Sequence, residues 1–231
     1  MKTKIGIIGA MDIEVENLKE MLESASEETV GAITFYRGTL YGKSAVIAKC
    51  GIGKVFAAIC AEIMILKYAP ELIINTGVGG AVSSALSTGD VVIADKLCQH
   101  DMDTSAIGDP VGLVSGINRV WFEASARAVG ILGNAAQEIG LKATVGAIAT
   151  GDKFISDSKD RQRIAETFGA VACEMEGGAI AQTCFVNSTP FAVVRAISDN
   201  ADGEATLDYP TFLPIAAKNS TALTLALVKE Y

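Results

Sequence analysis

Phe191-Ala-Val-Val-Arg-Ala-Ile-Ser-Asp-Asn-Ala-Asp-Gly203 lies near the end of a chain of 231 residues. Residues 191–197 form an apolar, Val-rich run, the pattern of a strand buried on both faces. The run carries Arg195 and ends in Ser198 and Asp199. A charge at the edge of a core costs free energy unless something compensates it. Either these groups pair structurally, or a site lies at the end of the strand.

The rest of the chain alternates strand and helix patterns around this one. Residues 4–9, 71–76, 90–95, 143–149 and 170–175 read as strands. Residues 33–40 and 43–50 alternate, with turn residues between, and predict a hairpin. Helices are expected at 12–23, where Val15, Leu18 and Leu22 share a face, and at 53–68, 121–139, 160–168, 176–185 and 211–229. Pro214 fits the last of these only in its first turn. Residues 99–116, rich in Asp, Gly and Ser, read as a loop. The alternation predicts one α/β domain over 1–231, with a central mixed sheet covered by helices. In such folds ligands gather beyond the carboxyl ends of the strands.

Composition narrows the function. Half the residues are apolar, which predicts much buried surface, a subunit interface included. No apolar run reaches the ~18 residues of a membrane span. The opening MKTKIGIIGAM is short and is followed by Asp12, Glu14 and Glu16, so it reads as a first core strand and not a signal peptide. A net charge of −8 disfavours a nucleic-acid partner. The five cysteines are scattered, without a CxxC pair, as expected of buried thiols in a reducing compartment. His100 is the single histidine, and neither a GxSxG elbow nor a zinc ligand set occurs, so no metal or cofactor is expected.

Several strand ends carry residues with chemical potential. Gly77-Val-Gly-Gly80 begins like a dinucleotide fingerprint, but Val82 stands where its third glycine belongs, and no P-loop occurs. These glycines fit tight turns; alternatively, the backbone around Val78 and Gly80 admits a flat or polyhydroxy ligand. Glu14, in a first helical turn, reads on its own as a solvated acid favoured by the helix dipole. Glu174 and Glu176 flank Met175 between a strand and a helix. They fit helix-start acids, or a carboxylate accepting from sugar hydroxyls. Asp199 fits a turn, or a partly buried acid whose pKa desolvation raises until it can donate a proton near neutrality. Arg195 fits a counter-ion to neighbouring acids.

Taken together, GIIGAMDIEVENL, CGIGKVFAA, IINTGVGGA, GDKFI, CEMEGGAIA and VVRAISDNAD, in this order across nearly the whole chain, resemble the 5′-methylthioadenosine/S-adenosylhomocysteine nucleosidases of the nucleoside phosphorylase superfamily. The resemblance implies a barrel-like mixed sheet, a homodimer, a cytoplasmic location, and hydrolysis of adenine thionucleosides to adenine and a thioribose in methionine salvage. It implies that Asp199 protonates the purine at N7, supported by Ser198, and that Phe154 and Ile155 hold the base. It implies that Met175 and Glu176 hold the ribose, and that Glu14 activates water with help from Arg195 and Glu174. Met11, Ile52 and Tyr209 would shape the sugar and 5′-alkylthio pockets. The loop 101–115 would reach the neighbouring subunit's pocket, although Ile107 stands where some members carry an aromatic residue. A phosphorylase would need a cationic phosphate site, whereas Asp12, Glu14 and Glu16 would repel phosphate. An aminodeoxyfutalosine hydrolase and a non-catalytic nucleoside binder are the alternatives.

Overall fold

β1 (Ile5–Gly9), buried throughout, lies between two parallel neighbours, β4 (Lys43–Lys49) and β5 (Leu72–Ala81). The computed structural model describes residues 3–200 and 205–231, the side chains of 205–208 excepted. Ala201 and Asp202, which close the VVRAISDNAD stretch, lie outside the described residues.

β5 organises the sheet. One edge runs parallel to β10 (Phe191–Asp199) from Ile73 to Gly80. The other edge pairs with β1 only as far as Asn75 and then, from Gly80, with the antiparallel β9 (Ala172–Glu174). The sheet therefore forks. Past the fork, β9 pairs with β8 (Ala143–Thr150), β8 with β6 (Val91–Gln99), and β6 with β10, which returns to β5 and closes a barrel. The short β7 (Phe122–Glu123) adds to β6. On the other side, β4 continues into β3 (Ile33–Leu40) and β2 (Glu23–Val30). The fold is a single α/β domain around this mixed sheet.

Helices cover both sides: α1 (Asp12–Glu20), α2 (Lys54–Tyr68), α3 (Ala126–Glu138), α4 (Ser158–Phe168), α5 (Gly177–Val186) and α6 (Ala205–Glu230). The apolar stripe of α1, Val15 and Leu18, is fully buried.

Four sequence expectations change. The helix expected over 12–23 stops at Glu20 and gives way to β2, whose residues are almost all exposed. Residues 71–76 continue through the glycines as one ten-residue strand, so Gly77–Gly80 is not a turn. The helix expected from 121 begins at Ala126, capped by Ser125, because Phe122 and Glu123 pair with Lys96 and Leu97. The helix expected from 211 begins at Ala205 and carries both Pro210 and Pro214. Tyr209–Glu230 also reaches the length and apolar content of a bilayer span, with a mean hydropathy of 1.2. Here its buried side chains, among them Ala216, Leu223 and Leu227, join one core with β5 and β10.

Candidate active site

The fork in the sheet opens a cavity of about 550 Å³. Between Asn75 and Gly80 this edge of β5 has no strand partner, so its amides are available to side chains. Glu14 takes one of them: its Oε1 accepts from Val78 N at 3.1 Å. Its Oε2 accepts from Ala10 N at 2.7 Å and Met11 N at 3.0 Å, the two amides that lead into α1. Glu14 is buried, not a solvated helix-start acid. Burial pushes its carboxyl above the ordinary range, against the opposing pull of Arg195 and the backbone amides. Three donors leave about one of roughly four lone-pair sites of a carboxylate for a ligand or water.

Asp199 ends β10 and is buried. Its Oδ1 accepts from Ser198 Oγ at 2.8 Å, and its Oδ2 from Arg161 Nη2 at 2.5 Å. Glu14 and Asp199 touch β5 at neighbouring points. A Cβ at Gly77 would lie 2.5 Å from Glu14 Oε1, and one at Gly80 would lie 2.8 Å from Asp199 Oδ2. These positions are glycine because carboxylates rest against the backbone there. Val78, which binds Glu14, and Gly80, which abuts Asp199, are two residues apart, or about 7 Å along a strand.

A second cluster lies beside Glu14. Arg195 is fully buried and donates to Asn75 Oδ1 and Glu174 Oε2, with Glu176 Oε2 at 4.0 Å. Burial opposes its charge, but Glu174, Glu176 and Glu14 outweigh that and hold its pKa above the usual arginine value. Glu174 also accepts from Thr150 Oγ1 and from the amides of Glu176 and Gly177, where it caps α5. Glu176 Oε1 accepts from Gly53 N at 2.8 Å. Burial and the neighbouring Glu174 carboxylate raise Glu176 to about 7.

The remaining walls are apolar. Phe154 and Tyr209 meet edge to face with centroids 5.5 Å apart, and the Tyr209 hydroxyl lies 3.4 Å from Met11 Sδ. Ile155 is buried, while Ile52 and Phe154 are exposed. The cavity thus brings together Met11, Glu14, Ile52, Val78, Gly80, Phe154, Ile155, Glu174, Met175, Glu176, Ser198, Asp199 and Tyr209. Arg195 is not on the wall; it acts from behind, through the carboxylates. His100 packs against Gly151 away from the cavity, with both ring nitrogens buried and unpartnered. Among the described residues no metal-binding cluster of His, Cys, Asp or Glu occurs.

A phosphorylase superfamily model matches residues 4–229. A 5′-methylthioadenosine/S-adenosylhomocysteine nucleosidase of Staphylococcus aureus is 44% identical over 227 residues, covering 98% of this chain and 99% of the relative. The chain belongs to this nucleosidase family. It is accordingly an enzyme of the nucleosidase class. The nucleosidase of Neisseria meningitidis, solved with methylthio-immucillin-A, superposes with a TM-score of 0.95 at 38% identity over the full length of both chains. A futalosine hydrolase of Helicobacter pylori superposes with a TM-score of 0.94 at 32% identity, covering 99% of this chain and 98% of that one.

Some residues of this nucleosidase site are not singled out by the sequence. Asn75, Thr150 and Gly53 N orient Arg195, Glu174 and Glu176, and they read as ordinary strand or turn residues. Arg161 sits in a polar helix where charge reads as a solvated face. Its one signal is periodicity: Arg161, Ile164 and Phe168 form the buried stripe of α4.

Proposed function

We propose that the chain hydrolyses the N-glycosidic bond of 5′-methylthioadenosine and S-adenosylhomocysteine, and of 5′-deoxyadenosine, to adenine and the corresponding ribose. What supports this is the seating of two buried carboxylates, Glu14 against Gly77 and Val78 and Asp199 against Gly80, along one strand of the cavity. Two carboxyl groups at separate points of one cavity suit an inverting hydrolysis, where an acid and a base flank the sugar with a water between.

Adenine leaves poorly as an anion. Asp199 gives a proton to N7 as the bond from N9 to C1′ breaks and its electron pair passes to the base. Positive charge develops on the sugar, beside the carboxylates of Glu14, Glu174 and Glu176, which stabilise it. The water oxygen bonds to C1′ and its proton passes to Glu14. Solvent exchange then restores both carboxyls. Glu176 accepts from the ribose hydroxyls beside Met175, Phe154 and Ile155 flank the base, and Met11, Ile52 and Tyr209 surround the 5′ substituent.

In the cell this reaction serves methionine salvage and removes a by-product of methyl transfer. A cytoplasmic setting would keep the five buried free thiols reduced. The proposed partner is a second copy of the chain. Val55, Phe56 and Ile59 form an exposed apolar face at the start of α2, next to Ile52 at the cavity, and Ile107 is 82% exposed. The loop 101–115 would complete the neighbour's pocket.

The decisive experiment is adenine release from 5′-methylthioadenosine with and without phosphate. Release without phosphate, with free methylthioribose as co-product, is expected. Release only with phosphate, giving a ribose 1-phosphate, would assign a phosphorylase instead. Binding without any product would leave a nucleoside-binding protein. The resemblance to the futalosine hydrolase makes aminodeoxyfutalosine the second nucleoside to assay.

A further inference from the structure

Arg161 is among the largest fully buried side chains of the protein. Its position in α4 is one that the stripe of Ile164 and Phe168 would give to an apolar residue. A guanidinium in such a place destabilises the fold unless its charge and its donors are matched. Nη1 donates to Ala81 O, the carbonyl that ends β5, and to Asn200 O, just past the end of β10. Nη2 donates to Asp199 Oδ2, while Nε is buried without a hydrogen-bond partner among the described residues. One planar fork therefore fixes the two strand ends and the carboxylate between them. Ser198 Oγ holds the other oxygen, so Asp199 has little rotational freedom.

We infer that Arg161 is the positioning residue for proton transfer to the leaving base. It acts through Asp199, and the inference rests on the function proposed above. The fork aims Asp199 at one wall of the cavity. Its charge also favours the ionised carboxyl, so it sets the pH at which the proton becomes available. A packing role alone would do neither.

The test compares R161M and R161K with the unaltered chain on two substrates. One is 5′-methylthioadenosine, whose base must be protonated. The other is the p-nitrophenyl glycoside of 5-methylthioribose, whose phenolate leaves without a proton. R161M is expected to lose about 100-fold in kcat on the nucleoside, the size of a general-acid contribution, with KM changed less than about threefold. On the glycoside its kcat should stay within about threefold. The alkaline fall of kcat on the nucleoside should move up by about one pH unit, because an opposite charge has been removed. R161K, which keeps the charge without the fork, should recover the pH profile but only part of the rate.

Equal losses on both substrates with an unmoved pH profile would reduce Arg161 to packing and overturn the inference, as would full activity in R161M. If R161M does not fold, R161K decides by the same two readouts. Hydrolysis by the unaltered chain with an indifferent R161K sinks this inference alone. An unaltered chain inert toward the nucleoside sinks the proposed function and this inference with it.

Discussion

The two ends of the cavity differ in their charge balance. Among the described residues, the Asp199 end brings one buried carboxylate to one buried guanidinium, Arg161. At the Glu14 end, three carboxylates, Glu14, Glu174 and Glu176, surround the single guanidinium of Arg195. The first end is matched and holds one group in a fixed direction. The second is electron-rich by up to two charges, and burial together with the Glu174 carboxylate raises Glu176 to about 7. A leaving purine needs a directed proton, and an incipient sugar cation needs negative charge nearby. In the proposed mechanism the cavity supplies these at separate places.

The largest effect is expected at the matched end. D199N keeps the shape and removes the proton, so it should lose about 1000-fold or more in kcat on 5′-methylthioadenosine while still binding a non-hydrolysable adenosine analogue. A variant that keeps most of its rate would erase the contrast between the two ends. At the electron-rich end, E14Q keeps most of its hydrogen-bonding shape and loses the proposed base. A fall of about 100-fold in kcat is expected, read best in single-turnover assays so that product release does not intrude.

E176Q should act chiefly on binding, raising KM by about 10-fold or more through a weaker acceptor for the ribose hydroxyls. It also tests the charge excess directly. With Glu176 raised from 4.5 to about 7, the folded chain holds a proton between those values that the unfolded chain has lost. The stability this group contributes therefore falls as pH rises through that window. E176Q removes that slope, so its melting temperature should drop less than that of the unaltered chain between pH 5 and pH 7.5. Equal drops would mean that Glu176 is not raised in the folded chain. The smallest effect is expected from F154A, a few-fold rise in KM from lost ring contact; a large fall in kcat there would mean that the base-side wall also directs the proton.

Part of this was legible in the sequence. Asp199 ends a strong apolar run, where a charged residue needs an explanation, whereas Glu14 and Glu176 also read as helix-start acids and gained their roles only from the resemblance of the motifs that carry them. Residues whose role depends on long-range pairing were not legible. Arg161 sits among Asp160, Gln162 and Arg163 and looks like one more solvated charge, until the tertiary fold carries it 38 residues along the chain to Asp199. β2 has no apolar alternation, because it is an edge strand held by its backbone ladder to β3. Gly77–Gly80 resembles a turn because glycine usually marks one. Here the backbone is extended, and what the glycines provide is absence of bulk.

That absence has a consequence for variation in this protein. Along β5 the scarce resource is room. A methyl group at Gly77 or Gly80 carries no charge and breaks no backbone hydrogen bond, yet it occupies the volume in which the carboxylate of Glu14 or Asp199 rests. A paralogue could keep all of its acids and still fall silent through a single alanine, and such a loss would go unseen by anyone scanning only the titratable residues.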